Sequence, residues 1–151
     1  MRKTFLKFGS PLIRDDEIKE VVATLESGWL GTGPKSKQFE ADFARYIGAK
    51  YAISLNSCTA GLHLALDALE IGPGDEVITT PMTFPATVNV IEHTGAKPIF
   101  VDIKRETSNI DESKIEAAIT SRTKAIIPVH LAGRPCEIDF IIELAKKYNI
   151  K

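Results

Sequence analysis

Gly72-Pro73-Gly74-Asp75-Glu76-Val77-Ile78-Thr79-Thr80-Pro81-Met82-Thr83-Phe84-Pro85 is the stretch that decides the fold. Its first four residues carry the glycine and proline signature of a turn, and Glu76 to Thr80 then form a short run without polar alternation. A strand of that kind is covered on both faces. Outward from it, similar β-branched or aliphatic runs recur at Tyr51 to Leu55, Lys97 to Val101 and Lys124 to Val129. Helical patterns fill the gaps at about Ala60 to Leu69, Pro85 to Thr94, Asp111 to Ile119 and Ile138 to Tyr148. Strands alternating with helices predict an α/β fold, a mainly parallel sheet with crossover helices on both faces. Gly95 sits where a helix should stop. Asp111 is placed to cap the helix that follows it.

The opening region differs. Asp15 or Asp16 is placed to cap a helix whose Ile18, Val21, Val22 and Leu25 make an apolar stripe ended by Gly28. A second helix from about Ser36 carries Phe39, Phe43 and Ile47 at helical spacing before Gly48. Both stripes predict core contacts. Residues 1–50 thus read as N-terminal helices and 51–151 as strand–helix units, together a single domain expected to be incomplete, because the rhythm calls for another strand after Lys151.

Composition narrows the function classes. A chain of 151 residues holds one sizeable core. Its 19 Lys and Arg balance 20 Asp and Glu, a net charge of -1 that offers no basic field for nucleic acid. No apolar run approaches the ~20 residues of a membrane helix. The opening Met-Arg-Lys-Thr-Phe-Leu-Lys-Phe has no apolar core or cleavage site of a secretory signal, so a cytoplasmic location is expected. Cys58 and Cys136 have neither metal-ligand nor disulfide spacing and read as buried or reduced thiols.

The chemistry concentrates in Leu55-Asn56-Ser57-Cys58-Thr59-Ala60-Gly61-Leu62-His63, where a strand runs into a helix through small hydroxylated residues. A helix start presents open N–H groups and the positive end of the dipole, which suits a phosphate. Ser57 and Thr59 add hydroxyls, and Cys58, Ala60 and Gly61 allow close approach. An ordinary helix cap explains the same residues equally well. The stretch is neither a Walker A loop nor a Gly-x-Gly-x-x-Gly fingerprint. After the next strand Phe84 brings an aromatic ring to the same rim, either as a wall for a planar heterocycle or as a core residue.

These residues carry a resemblance that extends along nearly the whole chain. Trp29-Leu30-Gly31-Thr32-Gly33-Pro34, Phe39-Glu40, Phe43-Ala44 and the segment Ser57 to Leu66 come first. Gly72 to Ile78, Thr83-Phe84-Pro85-Ala86-Thr87, Val101-Asp102-Ile103 and Arg122 to Gly133 follow in order. With them the chain resembles the N-terminal portion of the DegT/DnrJ/StrS family of sugar aminotransferases.

The resemblance implies the large domain of a fold type I enzyme, usually a homodimer. It implies pyridoxal 5'-phosphate as cofactor, a nucleotide-linked keto sugar as substrate and glutamate as amino donor, in cell-surface polysaccharide or amino-sugar biosynthesis. Carried over by position, Thr59 and Ala60 match phosphate contacts, with Ser57 and Cys58 beside them, and Phe84 matches a ring stacked on the pyridine. Trp29 and Thr32 lie in a stretch that matches a loop near the substrate. His130, at a strand end on the ligand rim, reaches the ligand or bonds a neighbouring loop. His63 and His93 fall within helices and read as structural. Cys58 departs from the glycine common in the family.

The family's acidic partner of the pyridine nitrogen and its Schiff-base lysine match nothing in this chain, so these residues alone are expected not to transaminate. Two alternatives stay open: a sugar dehydratase of the same fold, and a non-enzymatic phosphate- or nucleotide-binding α/β module.

Overall fold

Asp75 closes the turn that launches the central strand. Its N–H donates to the Gly72 carbonyl and its carboxylate accepts the Gly72 N–H, both at 3.1 Å. Gly74 takes φ 94° there, a conformation open to glycine at little cost. A computed structural model describes residues 4–5 and 9–151. Most of the opening stretch read for a secretory signal therefore lies outside the described residues. The described residues form two compact units, one up to Ser54 and one spanning Leu55–Lys151.

The first unit holds α1 (Asp15–Glu26) and α2 (Pro34–Ile47). Asp15, Asp16 and Glu17 occupy the first turn of α1, where carboxylates complement the helix dipole. The predicted cap at Asp15 or Asp16 is corrected: the capping position is Arg14, whose N–H donates to Glu17 Oε2 at 2.7 Å. Helix α2 begins at Pro34, ahead of Ser36, because proline suits the first helical turn. It ends on Gly48 at φ 71°. Lys35 pairs with Glu20 between the helices, and Glu40 Oε1 accepts both the N–H and the hydroxyl of Ser54 at 2.8 Å.

The two apolar stripes do not form a core. Neither helix has a buried residue, and Val21, Leu25 and Phe39 are all exposed. Two short helices present too little facing surface to cover both stripes, and helical spacing states a need for a partner without supplying one.

The second unit runs α3 (Cys58–Ala68), β1 (Glu76–Thr79), α4 (Ala86–His93) and β2 (Lys97–Phe100). A 3-10 turn (Glu112–Lys114) then leads into α5 (Ile115–Ala118), followed by β3 (Thr123–Ile126), a second 3-10 turn (Leu131–Gly133) and α6 (Ile138–Tyr148). The sheet is parallel in the order β2-β1-β3, with Glu76 opposite Lys97 and a register shift against β3 between Glu76 and Val77. At the outer edge of β3, Ile126 N–H donates to the Lys151 carbonyl and Lys151 N–H to the Lys124 carbonyl.

Successive side chains of a strand point to opposite faces. Val77 and Ala125 pack with Leu66, Ile71, Val90 and Ile91 on one face. Ile78 and Ile126 pack with Ile115, Ile141 and Leu144 on the other. The parallel sheet clad on both faces is thus present.

Two predicted elements change. Tyr51 to Leu55 forms no strand among the described residues, and Tyr51 and Ile53 stay exposed. Alternating apolar residues make a segment fit for a ladder, but a ladder also needs an open neighbouring edge. The helix predicted over Asp111 to Ile119 is a 3-10 turn and one α-turn. Asp111 does cap it, accepting the Ser113 N–H at 3.3 Å, but Thr120 N–H donates to Thr123 Oγ1 and the helix stops.

Glu76 is 2% exposed at the amino end of β1 and is paired. Thr120 Oγ1 donates to Oε2 at 2.5 Å, and Arg122 donates to Oε1 through Nε at 3.0 Å and Nη2 at 2.5 Å. A buried carboxylate is tolerated when it is so paired. The Thr120 bond, then Arg122, hold its pKa below the ordinary 4.5. The depressed value favours the folded state above pH ~4.5, and that stability is lost as pH falls through the lower folded value. Acid should therefore lower the melting temperature below that pH, and Glu76→Gln should flatten the acid limb. An unchanged acid limb would remove Glu76 from the account. In the core, Ile78→Ala should cost about 3 kcal/mol in denaturant unfolding, since both neighbouring layers are held by the sheet and cannot collapse fully.

Candidate functional site

Ser57, extended at φ -161° and ψ 154°, caps α3 by accepting the Ala60 N–H on Oγ at 3.1 Å. Its hydroxyl oxygen is therefore committed to the helix, and its nearest acceptor is Asn56 Oδ1 at 3.4 Å. The N–H groups of Cys58 and Thr59 donate to no protein acceptor among the described residues. These two amides and the exposed Thr59 hydroxyl form the open end of the helix. Of the two alternatives in the sequence, the cap is made by Ser57, and the amides of its neighbours stay unspent.

Helix α3 packs Leu66 and Leu62 on the face that carries Val77, then enters β1 through the Gly72–Asp75 turn. It therefore runs against the strand direction, and its N-terminus stands at the carboxyl edge of the sheet. That edge is where open α/β sheets bind ligands. The loop after β1 opens at the same edge. Buried Thr80 accepts the Met82 N–H at 3.3 Å, and the Thr83 and Thr87 hydroxyls meet at 2.8 Å. Phe84, carried between these ties, is 77% exposed, which overturns the alternative of a core residue.

His130 also stands beyond the carboxyl end of β3. Its Nδ1 accepts the Cys136 N–H at 3.0 Å, so a loop bond is made while the ring stays exposed. Cys136 is buried with its thiol donating to the Val129 carbonyl at 3.1 Å, and burial pushes its pKa up. Cys58, in contrast, is exposed and free, the reduced alternative of the two expected for it. Among the described residues no cluster of three or more metal-ligating side chains forms.

Trp29 and Thr32 belong to the other unit, and they meet each other. The indole Nε1 donates to the Thr32 carbonyl at 3.0 Å. Gly33 closes against the ring, and an added Cβ would collide with Nε1 and its neighbours. The pattern of small residues in the sequence is thus a close approach of backbone to indole.

Sequence reasoning missed Asn109. It is 4% exposed and bonds the chain after His130 at three points. A single polar residue between Ser108 and Ile110 carries no sign of partners more than twenty positions away.

The model of the DegT/DnrJ/EryC1/StrS aminotransferase family matches residues 11–151. The chain belongs to this family. It is 56% identical over 149 residues to the spore coat polysaccharide biosynthesis protein SpsC of Bacillus subtilis (strain 168), covering 99% of this chain and 38% of that protein. Spr1654 of Streptococcus pneumoniae, described as a sugar aminotransferase, has solved structures in PMP- and PLP-forms. The likeness has a TM-score of 0.89 at 47% identity, over 94% of this chain and 36% of that one. NtdA of Bacillus subtilis, solved with bound cofactor PMP, superposes with a TM-score of 0.86 at 39% identity, over 92% and 33%. The chain thus spans under two fifths of the length of SpsC, and its fold is that of fold type I aminotransferases.

Within these 151 residues Trp29 is the single tryptophan, so in a protein of this sequence its fluorescence reports the Trp29–Gly33 loop. Gly33→Ala should push the indole off the Thr32 carbonyl, with a red-shifted emission and easier quenching by iodide. Unchanged emission and quenching would show that the ring is not held as described.

Proposed function

We propose that the protein carrying these residues is a pyridoxal-phosphate-dependent sugar aminotransferase. Its substrate is a nucleotide-linked keto sugar, its amino donor glutamate, its assembly a homodimer and its location the cytoplasm. In this reading residues 1–151 belong to one cofactor-binding large domain, and the product enters polysaccharide or amino-sugar biosynthesis.

The observation that carries the proposal is the pairing, at one edge of the sheet, of an open helix N-terminus with an exposed aromatic ring. The two free amides of Cys58 and Thr59 suit a phosphate dianion. The Thr59 hydroxyl and the small side chain of Ala60 complete that end of the site, and Ser57 keeps the first turn in shape. Phe84 offers a flat apolar face for a pyridine ring. The residues present therefore fit the cofactor. When bound, pyridoxal phosphate supplies the electron sink for amino-group transfer.

What the chain itself does is bind and orient. The amides fix the phosphate end, Phe84 limits the tilt of the ring, and the ties at Thr80 and at Thr83–Thr87 hold Phe84 in place. Trp29 and Thr32 are assigned to the sugar substrate, and His130 to the rim where it reaches the cofactor or the substrate.

Titration of the full chain with pyridoxal phosphate, followed by absorbance, tests the reading. Thr59→Val should weaken binding about tenfold, the effect of one lost hydrogen bond to a charged group. Phe84→Ala should weaken it by a similar factor through lost stacking. Saturation with a nucleotide, together with indifference to pyridoxal phosphate and to both substitutions, would instead support a nucleotide-binding module.

A further inference from the structure

His130 leaves the carboxyl edge of the sheet on a segment whose backbone is not relaxed. Ala132 holds φ 51° and ψ 28°, a left-handed conformation that is strained for a non-glycine residue, and Gly133 follows at φ 83°. Such a conformation persists where its surroundings over-determine it. Asn109 is what determines it. Its Oδ1 accepts the Leu131 N–H at 3.1 Å, and its Nδ2 donates to the carbonyls of Arg134 at 2.9 Å and Pro135 at 3.0 Å. Asn109 is itself fixed, since its N–H donates to Thr107 Oγ1 at 3.2 Å and its carbonyl accepts the Lys104 N–H at 2.9 Å. The side chain is almost wholly buried, and all three of these bonds go to one loop.

The bond that closes the loop falls on the imidazole. His130 Nδ1 accepts the Cys136 N–H at 3.0 Å. A ring nitrogen that accepts carries no proton, so the neutral ring has its proton on Nε2. The loop therefore selects a tautomer, and it leaves an outward N–H donor on an exposed ring.

We propose that Asn109 is a positioning residue for the cofactor site: by pinning residues 131–135 it holds His130 as an Nε2–H donor to an oxygen of the bound cofactor. The inference rests on the cofactor reading given above and adds to it a residue that touches no ligand. Asn109 acts through His130, by fixing the ring and its tautomer.

The test uses the full chain, with pyridoxal phosphate as the probe. Side-chain 15N shifts of His130 give the tautomer, absorbance titration gives the dissociation constant, and thermal melting gives stability. Wild type should show the Nε2–H tautomer. Asn109→Ala should mix the tautomers and weaken binding about tenfold, as expected for one lost hydrogen bond. His130→Asn keeps an acceptor for the Cys136 N–H, but its amide N–H2 stops short of the position of Nε2, so it should melt like wild type and bind about tenfold more weakly. The double variant should bind no more weakly than His130→Asn alone, because coupled residues are not additive. If Asn109→Ala does not fold, Asn109→Asp keeps the volume and the acceptor and serves in its place. If neither folds, the pin is a folding determinant and the inference is overturned. Additive losses, or an Nδ1–H ring in wild type, overturn it as well. Undiminished affinity in His130→Asn overturns it while leaving the cofactor reading intact, whereas a wild type that does not bind pyridoxal phosphate overturns that reading and this inference with it.

Discussion

Strand β1 is buried on both faces, with Val77 and Ile78 each at 0% exposure, and the geometry of the carboxyl edge hangs from that burial. One face must be covered by α3 and α4 and the other by α5 and α6, because a strand with two apolar faces has no side left for water. Covering helices that join parallel strands must run back against them. Helix α3, which enters β1 through the Gly72–Asp75 turn, runs back in the same way, so its N-terminus and the loop before α4 arrive at the carboxyl edge together. Open amides and an exposed ring gather there because the core leaves the chain no other place to turn.

The same constraint explains the asymmetry between the two ends of the sheet. At the amino end, Glu76 is sealed by Thr120 and Arg122, and its polar valences are spent within the protein. At the carboxyl end, the amides of Cys58 and Thr59 remain open and Phe84 stays exposed. A structural ion pair and a candidate anion site lie at opposite ends of one strand layer. One is closed and the other unfinished, and it is the unfinished end that has chemistry to offer.

Much of this was legible in the sequence. Glu76 to Thr80 gave its strand away by lacking polar alternation, and Ile138 to Tyr148 forms the helix its spacing predicts. Ser57 announced a cap, and the two-faced sheet followed from alternating elements. The strand at Tyr51 to Leu55 was misjudged because propensity speaks for a residue's fit to a sheet and says nothing of an available neighbour. The broken helix after Asp111 was misjudged for a related reason: Thr120 has a better use, holding Glu76 across the sheet, than continuing a helical turn. Exposed stripes on α1 and α2 belong to the same class of error, since amphipathic spacing was legible and its partner was not.

The candidate site divides along the same line between local and long-range information. Ser57 to Ala60 lie within one helical turn, so their arrangement is a consequence of local backbone geometry and could be foreseen. His130 owes its tautomer to Cys136, and its loop owes its left-handed step to Asn109, which enters from a different part of the chain. No spacing rule connects them. A residue such as Asn109, buried and polar, with every side-chain bond sent to one strained loop, becomes visible only when the accounting of donors and acceptors is done in three dimensions. Once done, that accounting separates two kinds of polar residue on this sheet. Glu76 is satisfied by side chains and a strand start that bear nothing functional, whereas the bonds of Asn109 end on the one loop that carries an imidazole to the open edge.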